Sequence, residues 1–206
     1  MATRKYEQRL RADAAEQTRR RVLDALYRRL CEAPAEPVAV ERVASMAGVS
    51  RSTVYLVFGS RAGLFDALAD DLRGRGGFEL PAGGGGGDAR ADLRASIRAA
   101  VPLFAEHRQV LRVLYSMAAL DPRAVGGAVE RMGRGRAEGL AWHAERLAGQ
   151  DALRPGLTPA RAADLLWAVT GFEFFDQLRS GRGLPAATVA DLMVEAAERL
   201  VLRDEP

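Results

Sequence analysis

Between Val40 and Phe58 the chain reads Val-Glu-Arg-Val-Ala-Ser-Met-Ala-Gly-Val-Ser-Arg-Ser-Thr-Val-Tyr-Leu-Val-Phe, and these residue types suit docking against a charged duplex better than making or breaking bonds. Two short helical patterns, Val40 to Ala47 and Ser50 to Phe58, are parted only by Gly48 and Val49. Helices joined this tightly cross near a right angle only when the contact residues are small and the turn residue accepts positive φ, needs that Ala44, Gly48 and Val54 meet. This is a helix-turn-helix spacing. Val43, Ala44, Ala47, Val49, Val54 and Phe58 are then expected in its core, and Arg51, Ser52 and Thr53 fall on the outward first turn of the second helix, where base edges are reached in this motif. Ser50 is placed to cap that helix, and the free N–H groups and dipole there favour a DNA phosphate.

Other chemistries find little support. Cys31 is the single cysteine, so neither an intrachain disulfide nor a thiolate zinc site is available. His107 and His143 stand far apart without carboxylates at helical ligand spacing, so no metal site and no cofactor are expected. No nucleophile lies in a recognisable setting and no carboxylate pair stands out, which argues against an enzyme. The run Gly83 to Gly87 lacks a following Gly-Lys-Ser/Thr and a preceding strand, so it is not read as a phosphate loop.

The whole chain of 206 residues is 48% apolar and 28% charged with a formal net charge of +3, ordinary values for one or two folded domains. The charge is uneven: residues 1–61 hold 12 of the 30 basic residues and only 7 of the 27 acidic ones. That asymmetry points to a polyanion, most simply nucleic acid, held at the N-terminal end. No apolar leader opens the chain and no stretch of about 18 uncharged apolar residues occurs, so a soluble cytoplasmic protein with no membrane partner is expected.

Periodicity makes the chain all-α. Val22, Leu23, Leu26 and Leu30 recur at helical spacing after Thr18, a plausible N-cap, and Ser60 is placed to cap a helix carrying Leu64, Phe65, Leu68 and Leu72. The basic residues Arg4, Lys5, Arg9 and Arg11 before Thr18 form either a helical extension or an arm. Further helices are expected at about 89–105, 106–120, 123–149, 159–180 and 186–203. The domain division is a basic arm at 1–17, a helix-turn-helix domain with connecting helix at 18–73, a Gly-rich linker at 74–88 and a larger helical domain at 89–206. The last two helices carry broad apolar stripes, with Leu166 and Val169 on one and Leu192, Met193, Ala196 and Leu200 on the other. A two-fold homodimer would cover them and set two recognition helices on successive major-groove faces.

Ala47-Gly48-Val49-Ser50, Tyr55 and Phe58, Ser60-Arg61 and Leu64, with Thr18-Arg19 and Val22-Leu23 opening the first helix, together resemble the N-terminal signature of the TetR family of bacterial transcriptional regulators. The resemblance covers residues 18 to about 72, with a weaker likeness at Leu165 to Thr170. It implies phosphate contacts for Thr18, Ser50, Tyr55 and Arg61 on double-stranded DNA, a dimerising four-helix bundle, and a pocket for a small-molecule effector in the second domain. Candidates to line that pocket are His107, Tyr115, Trp142, His143, Phe172 and Glu173. Four positions depart from the family pattern. Ala39 stands where a hydroxyl residue usually caps the second helix, Leu56 and Val57 replace polar or aromatic residues, and Arg61 replaces lysine, keeping the charge and adding a fork for phosphate. Leu56 and Val57 would read DNA through apolar contact, for instance with a thymine methyl.

The expected function is a DNA-binding transcriptional regulator, a repressor released from a palindromic operator by a small ligand. The alternatives are a non-specific architectural DNA binder, or a helical small-molecule-binding protein or enzyme that has lost DNA function.

Overall fold

The computed structural model describes residues 2–75, 87–121, 123, 125 and 127–204, with side chains from Leu10 onward except Arg11 and Arg75. Among them every regular element is helical, and the one β-bridge, Leu153 with Leu202, is isolated. The chain divides into two compact units, Met1–Leu72 with Gln109–Val129, and Arg73–Arg108 with Glu130–Pro206. This differs from the expected division, which left the whole of 89–206 in one domain.

In the first unit α1 runs from Ala2 to Glu32, α2 from Val40 to Ala47, α3 from Arg51 to Phe58, α4 from Arg61 to Arg75 and α6 from Arg108 to Leu120. Helix α1 passes through Thr18 without a break, which corrects the expectation of an N-cap there. The Thr18 hydroxyl instead donates back to the Ala14 carbonyl at 2.9 Å, the usual behaviour of a mid-helix threonine. Helical backbone therefore continues into the basic segment. Val22, Ala25, Leu26 and Leu30 of α1 are almost wholly buried, as are Val43 and Ala44 of α2, Val54 of α3 and Leu64, Phe65 and Leu68 of α4. Those positions repeat every three or four residues and form one apolar core.

Two junctions in this unit are fixed by local chemistry. Gly48 closes α2 in the left-handed region at φ 67° and ψ 36°, with the Val49 N–H donating to the Ala44 carbonyl at 3.0 Å and the Gly48 N–H to Ser45 at 3.2 Å. That is a Schellman closure, which favours glycine because a Cβ is strained at such φ. Between α3 and α4, Gly59 at φ 73° and ψ −46° lets the Ser60 N–H reach the Phe58 carbonyl at 2.8 Å, a γ-turn of the rare strained hand. Ser60 then caps α4, its Oγ accepting from the Gly63 N–H at 2.9 Å.

The second unit holds α5 from Ala89 to Glu106, α7 from Ala128 to Gly149, α8 from Pro159 to Val169, α9 from Phe172 to Asp176, a π-helical turn at Gln177–Gly181 and α10 from Ala186 to Val201. Arg94 pairs with Glu198 and Arg98 with Asp191, the latter at 2.8 Å, tying α5 to α10, and Arg146 of α7 pairs with Asp92 of α5. The helix expected at 159–180 is broken at Thr170–Gly171. There the Thr170 hydroxyl donates to the Leu166 carbonyl at 2.7 Å while Arg136 from α7 donates to Thr170 Oγ1 at 3.1 Å and to the Trp167 carbonyl. A side chain entering the ladder at a Thr-Gly pair is an identifiable cause of a helix break. Helix α7 begins at Ala128, later than the expected 123. The linker expected at 74–88 falls largely on 76–86, outside the described residues, and Gly74 itself lies in α4.

Candidate nucleic-acid interface

Helix α3 sorts its residues by face. Val54 and Phe58 turn inward, Thr53, Tyr55 and Val57 are half-buried, and Arg51, Ser52 and Leu56 are exposed, Leu56 at 86%. A leucine that exposed takes no part in the packing of α3. Arg19 of α1 lies over the Phe58 ring at 5.2 Å, closing the far end of α3.

The N-terminus of α3 carries a knot of hydroxyls. Ser50 Oγ accepts the Thr53 N–H at 3.0 Å, and the same oxygen lies 2.7 Å from Ser52 Oγ and 2.8 Å from Thr53 Oγ1. Ser50 is thus the N-cap expected from sequence, in extended backbone at φ −79° and ψ 157°. Ser52 and Thr53 share that hydrogen-bond cluster, and Ser52 is the more exposed of the two. Ala39 caps α2 with no side-chain hydrogen bond, as its methyl side chain requires.

Arg51 Nη1 meets Glu41 Oε1 at 2.8 Å, and its guanidinium lies 5.3 Å from the Tyr55 ring centroid. Its pKa is raised above the usual arginine value, first by the side-chain hydrogen bond with Tyr55 and then by Glu41. The fork is therefore charged, solvent-facing and oriented from two sides. Arg61 behaves differently: it is half-buried, its Nε donates to the Val38 carbonyl at 3.4 Å and its guanidinium lies 5.1 Å from the Phe65 ring centroid. Thr18 is also half-buried, with Arg21 donating to its Oγ1 at 3.4 Å.

Two contributors escaped the sequence reading. Glu41 is one. The other is Arg29, only 6% exposed, which donates to the Ala33 carbonyl at 2.8 Å, to Glu36 Oε2 at 2.9 Å and to the Pro37 carbonyl at 3.3 Å. An arginine that buried must have its donors satisfied, and here they fasten the connection that leads into α2. Nothing in a run of arginines distinguishes the one that will be buried.

The residues expected to line a ligand pocket in the second unit differ in burial. His107 and His143 are each 2% exposed and Phe172 is 3% exposed, while Trp142 is half-buried and Glu173 is exposed. Phe172 and Phe175 pack on the Phe104 ring at centroid distances of 5.9 and 5.7 Å, a core arrangement. Tyr115 lies on α6 and so belongs to the first unit. His143 Nε2 is buried without a hydrogen-bond partner, and burial lowers its pKa, Asp92 opposing and Arg146 adding to the effect. Among the described residues no group of three metal-ligating side chains comes together, and no helix is long and apolar enough to cross a membrane.

Of the six residues assigned to a dimer face, Leu166 and Met193 are fully buried within one protomer, which corrects their placement on a partner-facing surface. They sit at the centre of stripes whose flanks, Val169, Leu192, Ala196 and Leu200, are half-buried. Trp167 is 42% exposed with Arg136 4.2 Å from its ring centroid.

A capped, outward-facing α3 held at a tight turn against α2 defines a helix-turn-helix DNA-binding protein. Residues 22–68 match the family model described as bacterial regulatory proteins, tetR family. Over those residues the chain is similar to the TetR family of transcriptional regulators, and its fold is shared with solved regulators. Native NalD, the secondary repressor of the MexAB-OprM multidrug efflux pump in Pseudomonas aeruginosa, is 26% identical with a TM-score of 0.73, over 92% of this chain and all of that one. A TetR-family regulator from Rhodococcus sp. is 20% identical with a TM-score of 0.71, over 90% of this chain and 98% of that one. SmeT, the repressor of the Stenotrophomonas maltophilia multidrug efflux pump SmeDEF, is 19% identical with a TM-score of 0.69, over 91% and 93%. No curated protein sequence matches the chain.

Proposed function

We propose that this DNA-binding regulator acts as a homodimeric repressor on a roughly two-fold operator and is released by a small molecule. The observation that carries the reading is α3, whose Arg51, Ser52 and Leu56 stand exposed above a Ser50-capped N-terminus while Val54 and Phe58 anchor it from behind. Base reading is assigned to Arg51, Ser52 and Thr53, with Leu56 beside them, and phosphate contact to Thr18, Ser50, Tyr55 and Arg61. Arg61 serves after its side chain leaves the Val38 carbonyl. Dimerisation is assigned to Val169, Leu192, Ala196 and Leu200.

Repression and ligand release draw support from relatives: NalD and SmeT are repressors, and SmeT has been solved as a complex with triclosan. The effector need only favour a conformation whose recognition helices no longer match successive grooves, because differential affinity alone shifts the balance. His107, Trp142, His143, Phe172 and Glu173 are the residues of the second unit assigned to that effector. The protein then works by occupying promoter DNA and needs no catalytic step.

The test is fluorescence anisotropy on the DNA upstream of its own gene and on a scrambled duplex, at two salt concentrations. A sequence-specific regulator binds the first far more tightly and saturates at dimers per site. Equal, steeply salt-dependent binding to both would mean an architectural role, and no binding to either would sink the DNA reading.

A further inference from the structure

Among the described residues four large apolar side chains stand exposed, Leu10, Leu56, Leu120 and Trp167, and Leu56 is the one that lies on α3. At 86% exposure it is left over from the packing that Val54 and Phe58 provide on the opposite side of the helix. Its neighbour Val57 is half-buried, so of this apolar pair Leu56 is the one fully available to a partner.

The rest of the exposed face says which partner it suits. Ser52 precedes Leu56 by four residues, about one helical turn, which sets the two on one stripe, and both are exposed. Arg51 beside Ser52 is exposed, charged and oriented by Glu41 at 2.8 Å. A face that joins a guanidinium and a hydroxyl to a bare leucine matches the major groove, where phosphates attract the charge and base edges offer hydrogen-bonding groups. The apolar group of those edges is the C5-methyl of thymine, which the other three bases lack.

We propose that Leu56 reads thymine, burying its side chain against the C5-methyl of one thymine in each half of the operator. This rests on the DNA-binding function proposed above and adds the identity of a base to it. A rise of about 1.5 Å per residue puts Leu56 about 6 Å along the helix from Ser52, short of two base steps of about 3.4 Å. The thymine therefore lies within about two base pairs of the base that Ser52 meets. Leucine carries no charge, so its contribution falls on sequence preference and not on the salt-dependent attraction to phosphates.

Selection of sites from a random duplex pool, by the full-length wild type and by Leu56→Ala, tests this together with fluorescence anisotropy on the selected site. The wild type is expected to recover thymine at one fixed position in each half, and Leu56→Ala to recover any base there. Deoxyuridine in place of those thymines removes the methyl and keeps the base pair. It is expected to weaken the wild type by about fourfold per methyl, the scale of one buried methyl group, and to leave Leu56→Ala unchanged. Both proteins should show the same salt slope, and unchanged thermal melting establishes that the variant is folded. A variant that still demands thymine, or a uracil duplex that the wild type binds undiminished or that weakens both proteins equally, overturns the role of Leu56 while the regulator stands. If the wild type enriches no sequence at all, base reading by α3 fails and the role of Leu56 fails with it.

Discussion

Arg51 and Glu41 lie on different helices of the DNA-binding motif, yet their side chains meet at 2.8 Å in open solvent. The pair sets α3 against α2 and also holds the foremost base-contact candidate in a fixed pose. Such exposed pairs contribute little to stability, so its value is in orientation.

Arg51→Ala is expected to weaken binding to the cognate duplex by about tenfold or more and to relax preference at one base pair, as loss of a bidentate base contact does. Glu41→Ala is expected to narrow the difference in affinity between cognate and scrambled DNA, because Arg51 stays charged but loses the carboxylate that holds it in pose. Anisotropy on both duplexes reads the two outcomes, with thermal melting unchanged in each variant. Equal weakening on both duplexes in Arg51→Ala would make Arg51 a phosphate contact.

Two glycines of α4 should respond with opposite sign to the same substitution. A Cβ on Gly63 would collide with the Phe58 carbonyl of the γ-turn, whereas one on Gly74 meets nothing within 4 Å. Gly63→Ala should therefore cost about 1–3 kcal/mol, as overpacking does, and Gly74→Ala should stabilise by about 0.5–1 kcal/mol, the usual gain from replacing a helical glycine. Chemical denaturation of the two variants measures both; a neutral Gly63→Ala would mean that the α3–α4 junction relaxes without cost.

His143 predicts a pH dependence. Its folded pKa is lowered from the ordinary 6.5, chiefly by burial, so the unfolded state takes up its proton first as pH falls. Stability from the neutral imidazole is fully present above 6.5 and is lost as pH drops from there through the lower folded value. Melting temperature should decline over that window, and His143→Leu should flatten the decline. An identical pH profile in the variant would assign the effect to other groups.

Neighbouring residues on α10 should separate assembly from folding. Leu192 is half-buried and Met193 fully buried. Leu192→Glu is expected to give a folded monomer by sedimentation, while Met193→Ala should keep the dimer and lose about 2–5 kcal/mol of stability, the range for a buried methionine cut to alanine. A Leu192→Glu protein that sediments as the wild type does would remove this face from the interface.

Much of the DNA-binding motif was written locally. Gly48 at the αL position, Ser50 and Ser60 as caps, and the apolar spacing of Val43, Ala47, Val54 and Phe58 each act within a few residues of chain. Such signals are legible in a sequence because their partners lie within one turn. The all-α class was legible for the same reason.

Tertiary placement decided the rest. Thr18 lost its capping role because α1 continues through it, and the Gln109–Val129 segment joined the first unit although no local signal marks it. Periodicity finds an apolar stripe but not its midline, so Leu166 and Met193 could be told from Leu192 only once packing had turned them inward. Arg29 and Arg51 are the same residue type in the same basic N-terminal segment; one is buried under three acceptors and the other faces solvent beside Glu41. What separates them is which neighbours folding brings within about 3 Å, the range of a hydrogen bond, and that is a property of the packed chain rather than of either residue.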